Sequence, residues 1–243
     1  MRTEILGVGF DDLTMDEACD KALELIDGRS GAYVVTPNPE IVWMCRENSE
    51  LKRAVANADL VVADGIGVIY GARILKTPLK QKIPGIDLAT ELFATLPQSG
   101  KTLFLLGSKP GVAEKAEDEL RKRYPGIEIC GTHDGYFSDD APVIEEINAV
   151  APDLLLVCLG APKQEIWMMR NSEKLNVGLM MGLGGVLDVF AGEVQRAPER
   201  WQRLGLEWLY RLLKQPSRIK RMIKLPVFLF AVIGERIRGR KNG

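Results

Sequence analysis

The chain has 243 residues, 46% hydrophobic and 27% charged, which is typical of a folded domain with one large core plus an extension and excludes a disordered chain. Four widely spaced cysteines without a CxxC pair argue against a disulfide scaffold and favour reduced core residues. The net charge of −1 conceals an asymmetry, because residues 196–243 carry +10 and residues 1–195 carry −11. Such a basic end favours a polyanionic partner, either an anionic membrane surface or a nucleic acid.

Short apolar strands alternate with helix patterns along most of the chain, which predicts the α/β class with a Rossmann-like, largely parallel sheet flanked by helices. A first strand is predicted at residues 5–8, followed by a helix from about residue 15 to 27 that Asp12 or Thr14 caps. The later predicted strands are residues 33–36, 60–63, 102–106, 127–130, 154–159 and 177–181. The alternation stops near Arg196. We therefore predict an α/β body at 1–195, which would hold any catalytic site, and a basic helical appendage at 196–243.

Three predicted strands end in polar turns rich in glycine and proline, and a helix pattern follows each. The turns are Thr36-Pro37-Asn38-Pro39-Glu40, Asp64-Gly65-Ile66-Gly67 and Gly160-Ala161-Pro162-Lys163-Gln164-Glu165. Because the carboxyl ends of parallel strands converge on one crevice, we expect their polar side chains to face a single ligand. Asn38 is predicted to cap the helix that begins at Pro39. Asp64 is a candidate general base, although an aspartate before glycine is also a common turn former.

Two glycine-rich turns are candidates for contacts with a nucleotide. The turn Gly182-Leu183-Gly184-Gly185 opens a predicted helix whose first amides suit a phosphate, with close helix-to-strand packing as the alternative. Asp188, one turn further on, could accept a hydrogen bond from a base or a sugar hydroxyl. The turn Gly107-Ser108-Lys109-Pro110-Gly111 lacks the glycine spacing of a dinucleotide-binding or ATP-binding motif. Two interpretations of this turn remain, an ordinary strand-to-helix turn or a secondary contact with a nucleotide. Without an Asp-x-Asp pair or a His/Cys cluster, neither a metal nor another cofactor is predicted.

The basic end contains an apolar run at residues 225–233, about half of the ~20 residues that a membrane-spanning helix needs. We expect this run to lie on a membrane, with a helical cap on the sheet as the alternative. The start of the chain lacks the pattern of a signal peptide, so the expected location is the cytoplasm. The rival class is a non-catalytic adaptor for membrane or nucleic acid, but the apolar run fits a nucleic-acid groove poorly.

Seven segments in register resemble the WecG/TagA/CpsF family of bacterial glycosyltransferases, from about residue 4 to the mid 230s. They are the three strand-end turns above, Pro84-Gly85-Ile86-Asp87-Leu88, Gly131-Thr132-His133-Asp134-Gly135-Tyr136-Phe137, the Gly182 turn, and Glu207-Trp208-Leu209-Tyr210-Arg211. The resemblance implies an inverting, metal-independent transferase on the inner face of the cell membrane. Its commonest activity moves N-acetylmannosamine from UDP-ManNAc to undecaprenyl-diphosphate-linked GlcNAc, for the wall teichoic acid linkage unit. The alternative donors are UDP-ManNAcA and UDP-glucose. The oligomeric state is left open, with a homo-oligomer among the alternatives.

The resemblance also implies roles for single residues. The pocket motifs of the family fall on Thr36, Asn38, Asp64 and Gln164, and Asp64 takes the place of the favoured catalytic base. The appendage arginines expected to meet the membrane and close the site are Arg211, Arg218 and Arg221. Lys82 stands where many relatives carry arginine. It keeps the charge but loses the two-pronged geometry that grips a phosphate, which puts its substrate-binding role in question.

Overall fold

The computed structural model describes residues 2–214, 216, 219 and 223–241, apart from the side chains of 239–241. The strands are β1 (Arg2–Ile5), β2 (Val8–Asp11), β3 (Ala32–Val35), β4 (Leu60–Val61), β5 (Thr102–Gly107), β6 (Glu128–His133), β7 (Leu154–Cys158) and β8 (Leu179–Gly182). A six-stranded sheet has the order β4-β3-β8-β7-β5-β6, and all of its neighbouring strands are parallel. The predicted α/β class with a parallel sheet is confirmed.

A helix follows each of the six strands of this sheet. They are α1 (Met15–Gly28), α2 (Pro39–Glu47), α3 (Ser49–Ala56), α4 (Ile66–Leu75), α5 (Gly85–Ser99), α6 (Val112–Arg123), α7 (Asp140–Val150), α8 (Lys163–Asn171), α9 (Val186–Phe190), α10 (Glu199–Arg203), α11 (Glu207–Lys214) and α12 (Lys224–Lys241). Buried side chains of α1, α5, α6 and α9 form one apolar cluster, and those of α2, α3, α4, α7, α8 and α12 form the other. The sheet therefore lies between two layers of helices.

The start of the chain differs from the prediction. Residues 5–8 do not form a strand, because Leu6 and Gly7 have φ angles of 50° and 81° and turn the chain back on itself. The strands β1 and β2 flank this turn as an antiparallel hairpin, with Ile5 opposite Val8. The prediction of a single strand at 5–8 is therefore wrong, because the two apolar ends of the run face each other across the turn.

Two helix starts follow their sequence signals. Thr14 caps α1 in a reciprocal capping box with Glu17, which decides between the two predicted caps in favour of Thr14. Asn38 caps α2, and its Oδ1 accepts a hydrogen bond of 3.0 Å from the N–H of Ile41. Pro39 occupies the first position of α2, where a missing N–H costs nothing. These caps fix where the chain turns into a helix after β2 and after β3.

The last helix, α12, packs one side on the body of the protein. Phe228 and Val232 are fully buried in the same apolar cluster as residues of α2 and α4. The opposite side leaves Phe230 74% exposed, together with Ile233 and Ile237. Within the described part of the chain, no helix is both long and apolar enough to cross a bilayer. One side of α12 therefore packs on the helix layer formed by α2 and α4, and the division of the chain at 195/196 stays a prediction.

Candidate active site at the carboxyl edge of the sheet

The crevice lies where neighbouring strands send their helices to opposite faces of the sheet. The helix after β5, α6, packs on one face, and the helix after the adjacent strand β7, α8, packs on the other. Such a switch point opens a crevice beyond the carboxyl ends of the strands. A cleft of about 330 Å³ occurs there, and its lining residues are Ser108, Lys109, Gly135, Tyr136, Cys158, Leu159, Gly160, Gly184, Gly185 and Asp188.

Asp64 lies immediately beyond β4 and is tied to the turn after β3. Its backbone N–H donates to the carbonyl of Pro37 at 3.3 Å, and Gly65 follows with a φ of 98°, which lets the chain enter α4. A Cβ added to Gly65 would lie only 3.7 Å from the Cβ of Asn38. The N–H of Ile83 donates to the carbonyl of Ala63 and holds the segment with Lys82 alongside. The structure thus brings Asn38, Asp64 and Lys82 together.

The carboxyl group of Asp64 sits in an unusual electrostatic setting. Although part of the residue surface is exposed, burial raises the pKa of Asp64 to about 6, and the negative charge of Glu207 acts in the same direction. The charges of Arg211 and Lys82 and the backbone N–H of Gly85 lower that pKa. A carboxylate with a pKa just below neutral can accept a proton during a reaction, as a general base must.

Thr36 directly follows β3 and is buried against the start of α5. A Cβ on Gly85 would lie 2.5 Å from the Cδ2 of Leu183 and 3.0 Å from the Cγ2 of Thr36, so only glycine allows this approach. The Oγ1 of Thr36 lies 3.5 Å from the carbonyl oxygen of Gly182 in the neighbouring strand. Thr36 therefore stands between the region of Asp64 and the turn after β8.

Gln164 joins the turns that follow β7 and β8. Its Oε1 accepts from the N–H of Gly160 at 3.1 Å and from the N–H of Gly184 at 2.7 Å. Its Nε2 donates to the Oε1 of Glu165 at 2.8 Å, and the residue is only 3% exposed. The side-chain carbonyl oxygen of Gln164 thus already accepts hydrogen bonds from two backbone N–H groups. The geometry favours a role in shaping the crevice, and the predicted catalytic role of Gln164 stays a prediction.

The turn after β8 offers less than the sequence suggested. The N–H of Gly184 is already used by Gln164, and α9 has only five residues, so its dipole is small. Gly184, Gly185 and Asp188 nevertheless line the cleft, beside Ser108 and Lys109 from the turn after β5. Their contacts with a substrate stay predictions. If these contacts form, they form in this cleft.

Helix α11 brings charged residues toward Asp64. Glu207 accepts a hydrogen bond of 3.0 Å from Nη2 of Arg211, and both charges act on Asp64. Arg196 and Asp87 form an ion pair next to this one. Sequence reasoning did not single out Asp87, Arg196 or Glu207 as site residues; the only available signal was that Asp87 and Glu207 lie in the family-like segments. The predicted Arg218 and Arg221 lie outside the described residues.

Glu165 is a buried carboxyl group that the sequence did not mark. It is 1% exposed, and its Oε2 has no hydrogen-bond partner within the described part of the chain. Burial raises the pKa of Glu165 to about 7, while the hydrogen bond from Gln164 lowers it. A raised pKa means that the folded protein favours the protonated form, so folding stability is lost as the pH rises from about 4.5 to about 7.

Glu165→Gln is therefore expected to remove this loss, since glutamine keeps an oxygen acceptor for Gln164 without a titrating proton. The variant should be more stable than the original chain by on the order of 2 to 3 kcal/mol at pH 8, and this gain should vanish near pH 4.5. Urea denaturation at both pH values measures it. Exposed Glu145 provides the control, Glu145→Gln, which should shift neither curve. A stability difference independent of pH would contradict the assignment.

Among the described residues, no group of three or more His, Cys, Asp or Glu side chains is arranged to hold a metal ion. The positive charges of Lys82 and Arg211 lower the pKa of Asp64, and Arg196 also acts on Asp64 electrostatically. The predicted contacts of Lys82 and Arg211 with a substrate stay predictions.

Comparison with known proteins agrees with the family resemblance. A relative from Bacillus spizizenii, named N-acetylglucosaminyldiphosphoundecaprenol N-acetyl-beta-D-mannosaminyltransferase, is 38% identical over 86% of this chain and 81% of its own. A protein of the same name from Staphylococcus aureus is 36% identical over 95% of this chain and 92% of its own. The model of the Glycosyl transferase WecG/TagA/CpsF family matches residues 3–242. With the parallel sheet and the crevice described above, the chain belongs to the WecG/TagA/CpsF family of glycosyltransferases.

Proposed function

We propose that this protein transfers N-acetylmannosamine from UDP-ManNAc to undecaprenyl-diphosphate-linked GlcNAc, a step toward the linkage unit of wall teichoic acid. The observation that carries the proposal is the 36–38% identity, over more than four-fifths of both chains, to relatives named for this transfer. The position of Asp64 supports it, since a carboxyl group with a pKa of about 6 lies at the carboxyl edge of the sheet.

In the proposed reaction, Asp64 takes the proton of the acceptor hydroxyl. The hydroxyl oxygen forms a bond to the anomeric carbon of the donor sugar while the bond from that carbon to the diphosphate oxygen breaks, which inverts the configuration. The departing UDP gains negative charge, and Lys82 and Arg211 lie close enough to Asp64 to affect its pKa. These two cations stabilise the developing charge electrostatically.

We place the nucleotide of the donor in the cleft beyond β5, β7 and β8. Its volume of about 330 Å³ is within the range of small-ligand pockets. Tyr136, which is 72% exposed at its edge, offers an aromatic surface to a base, and Lys109 offers a positive charge. Asp188 could accept a hydrogen bond from a base or a ribose hydroxyl. Because Thr36 lies between this cleft and Asp64, the sugar would extend from the cleft toward the base.

We further propose that the side of α12 facing away from the body contacts the cytoplasmic leaflet of the membrane. Phe230 protrudes there, and it lines a groove with Leu6 and with three charged residues, Arg46, Glu235 and Arg238. Apolar side chains beside cations suit the boundary between acyl chains and anionic headgroups. The basic end would then bring the site to its lipid-linked acceptor, as a peripheral protein.

The experiment that tests the activity is an assay of the purified protein with a lipid-linked GlcNAc acceptor and a panel of donors. UDP-ManNAc, UDP-ManNAcA and UDP-glucose are supplied separately, and mass spectrometry identifies the product. A disaccharide formed from UDP-ManNAc alone is the expected result. Product from another donor would reassign the sugar. No product from any donor would favour the non-catalytic adaptor, which should then be tested for release from membranes by nuclease.

Chelation should leave the activity intact. We expect turnover in EDTA to stay within about twofold of the untreated rate, since protein cations stabilise the leaving diphosphate in the proposed reaction. Initial rates with and without EDTA measure this, and added Mg²⁺ or Mn²⁺ is the control. Loss of activity in EDTA that either ion restores would show that a metal takes part.

A further inference from the structure

Arg196 links two parts of the fold that are far apart in sequence. Its guanidinium forms two parallel hydrogen bonds with the carboxylate of Asp87 in the first turn of α5, and the Nη2 to Oδ2 distance is 2.9 Å. Its Nε lies 3.7 Å from the Oε1 of Glu207 in α11. The side chains of Arg196 and Glu207 are only 22% and 18% exposed. A two-pronged pair in such a shielded place is geometrically specific.

Both ends of this bridge lead to Asp64. Asp87 lies two residues after Gly85, whose N–H donates to the Asp64 carboxylate. Glu207 holds Arg211 at 3.0 Å, and the charges of Glu207 and Arg211 both act on Asp64. Asp87, Arg196, Glu207 and Arg211 thus form a row of alternating charges, which we call the charge row. It runs from the start of α5 to the middle of α11.

We propose that Arg196 is a positioning residue for the transfer, which seats α11 against the site through Asp87 and Glu207 so that Glu207 and Arg211 reach Asp64. The inference rests on the proposed function and adds a residue to it. Nε of Arg196 has no hydrogen-bond partner within the described residues, which fits a contact to Glu207 that can tighten or loosen. The seat of α11 would then depend on this one guanidinium.

Loss of Arg196 changes the pKa of Asp64 in opposite directions, depending on whether α11 stays in place or leaves. The groups facing Asp64 are Glu207 and Arg211 from α11, Lys82 and the Gly85 N–H from the segment before and at the start of α5, and Arg196. If α11 stayed in place, loss of the Arg196 charge would raise the pKa of Asp64. If α11 left, Asp64 would lose burial and the Glu207 charge, which both raise its pKa and outweigh the opposing Arg211. The pKa would then fall.

Arg196→Met tests this choice through the pH profile of kcat/KM, whose acidic limb reports the base in the free enzyme. We expect the limb to move to lower pH by on the order of one unit, and the plateau of kcat/KM to fall at least about tenfold. Arg196→Lys keeps the charge but not the two-pronged contact, so it should behave like Arg196→Met. The matched control is Arg203→Met, since Arg203 forms a solvent-exposed ion pair with Glu199. A limb that moves to higher pH or stays, or full activity in Arg196→Lys, would overturn the proposal.

A second measurement needs no substrate. Chymotrypsin has cleavage sites at Trp201, Leu204 and Trp208, which the variants leave intact. Arg196→Met and Asp87→Asn should each speed cleavage there several-fold, and the double variant should be cut no faster than either single variant, because both remove the same contact. An unchanged cleavage rate in both single variants would contradict the proposed bridge through Arg196, even if the enzyme is active. Inactivity on every donor, with cleavage as expected, would instead reject the proposed function and leave the bridge standing.

Discussion

Asp64→Asn is expected to lower kcat by about 10² to 10⁴ while binding of the UDP-sugar is kept, because asparagine has the same shape but cannot accept the acceptor proton. Rates at saturating concentrations of both substrates measure the effect. The variant should not unfold. Burial raises the pKa of Asp64 from 3.8 to about 6, so folding stability is lost as the pH rises through that range, and asparagine removes this loss.

Asp118→Asn is the matched control, since Asp118 is an exposed aspartate of α6 far in the chain from the strand-end turns. It should retain the full rate. At pH 8, the melting temperature of Asp64→Asn should equal or exceed that of the original protein. Near-normal turnover of Asp64→Asn with both substrates saturating would show that another group is the base.

Phe228→Ala should be the most destabilising of the proposed substitutions, because it leaves a cavity where α12 meets the body. Removal of a fully buried phenylalanine typically costs about 3 to 5 kcal/mol, from lost burial and the cavity together. Chemical denaturation measures the free energy of unfolding. Phe230→Ala is the control two residues away, and it should change that free energy by less than about 0.5 kcal/mol since Phe230 is 74% exposed.

The same pair of variants separates two roles of α12. Phe230→Ala should weaken binding to anionic vesicles, whereas Phe228→Ala at a temperature where it is folded should bind them normally. Equal loss of stability in both variants would contradict the packing of α12 described above. These point substitutions separate the two roles better than a truncation near Pro198 would, because the truncation would also remove Val232 from the core.

Local signals predicted much of the fold. The start of α2 follows from Asn38 and Pro39, because a cap and a first-position proline act through their immediate neighbours. The helix from about residue 15 to 27 and the parallel class were likewise predicted. The hairpin before α1 was missed because Leu6 adopts a positive φ, which leucine rarely does and no residue pattern announces.

The candidate site was only partly predictable. That Asn38 and Asp64 lie together follows from a general property of parallel sheets, since strand ends share an edge. The contact between Arg196 and Asp87 spans 109 positions of the chain, and nothing local indicates which of 33 acidic residues a given arginine meets. The backbone contacts of Gln164 were equally hidden, because they depend on how closely the turns after β7 and β8 approach.

Gly67 and Gly71, one turn apart on α4, decide where the last helix rests. A Cβ on Gly67 would lie 2.6 Å from Cδ1 of Leu225, and one on Gly71 would lie 3.0 Å from Cζ of Phe228. The seat of α12 is therefore encoded more than 150 residues before α12 itself, in the helix that begins just after Asp64. The charges of the basic end can change to suit a different membrane without touching these contacts, whereas one methyl group added to α4 would crowd the buried side chains of α12 with every one of its charges intact.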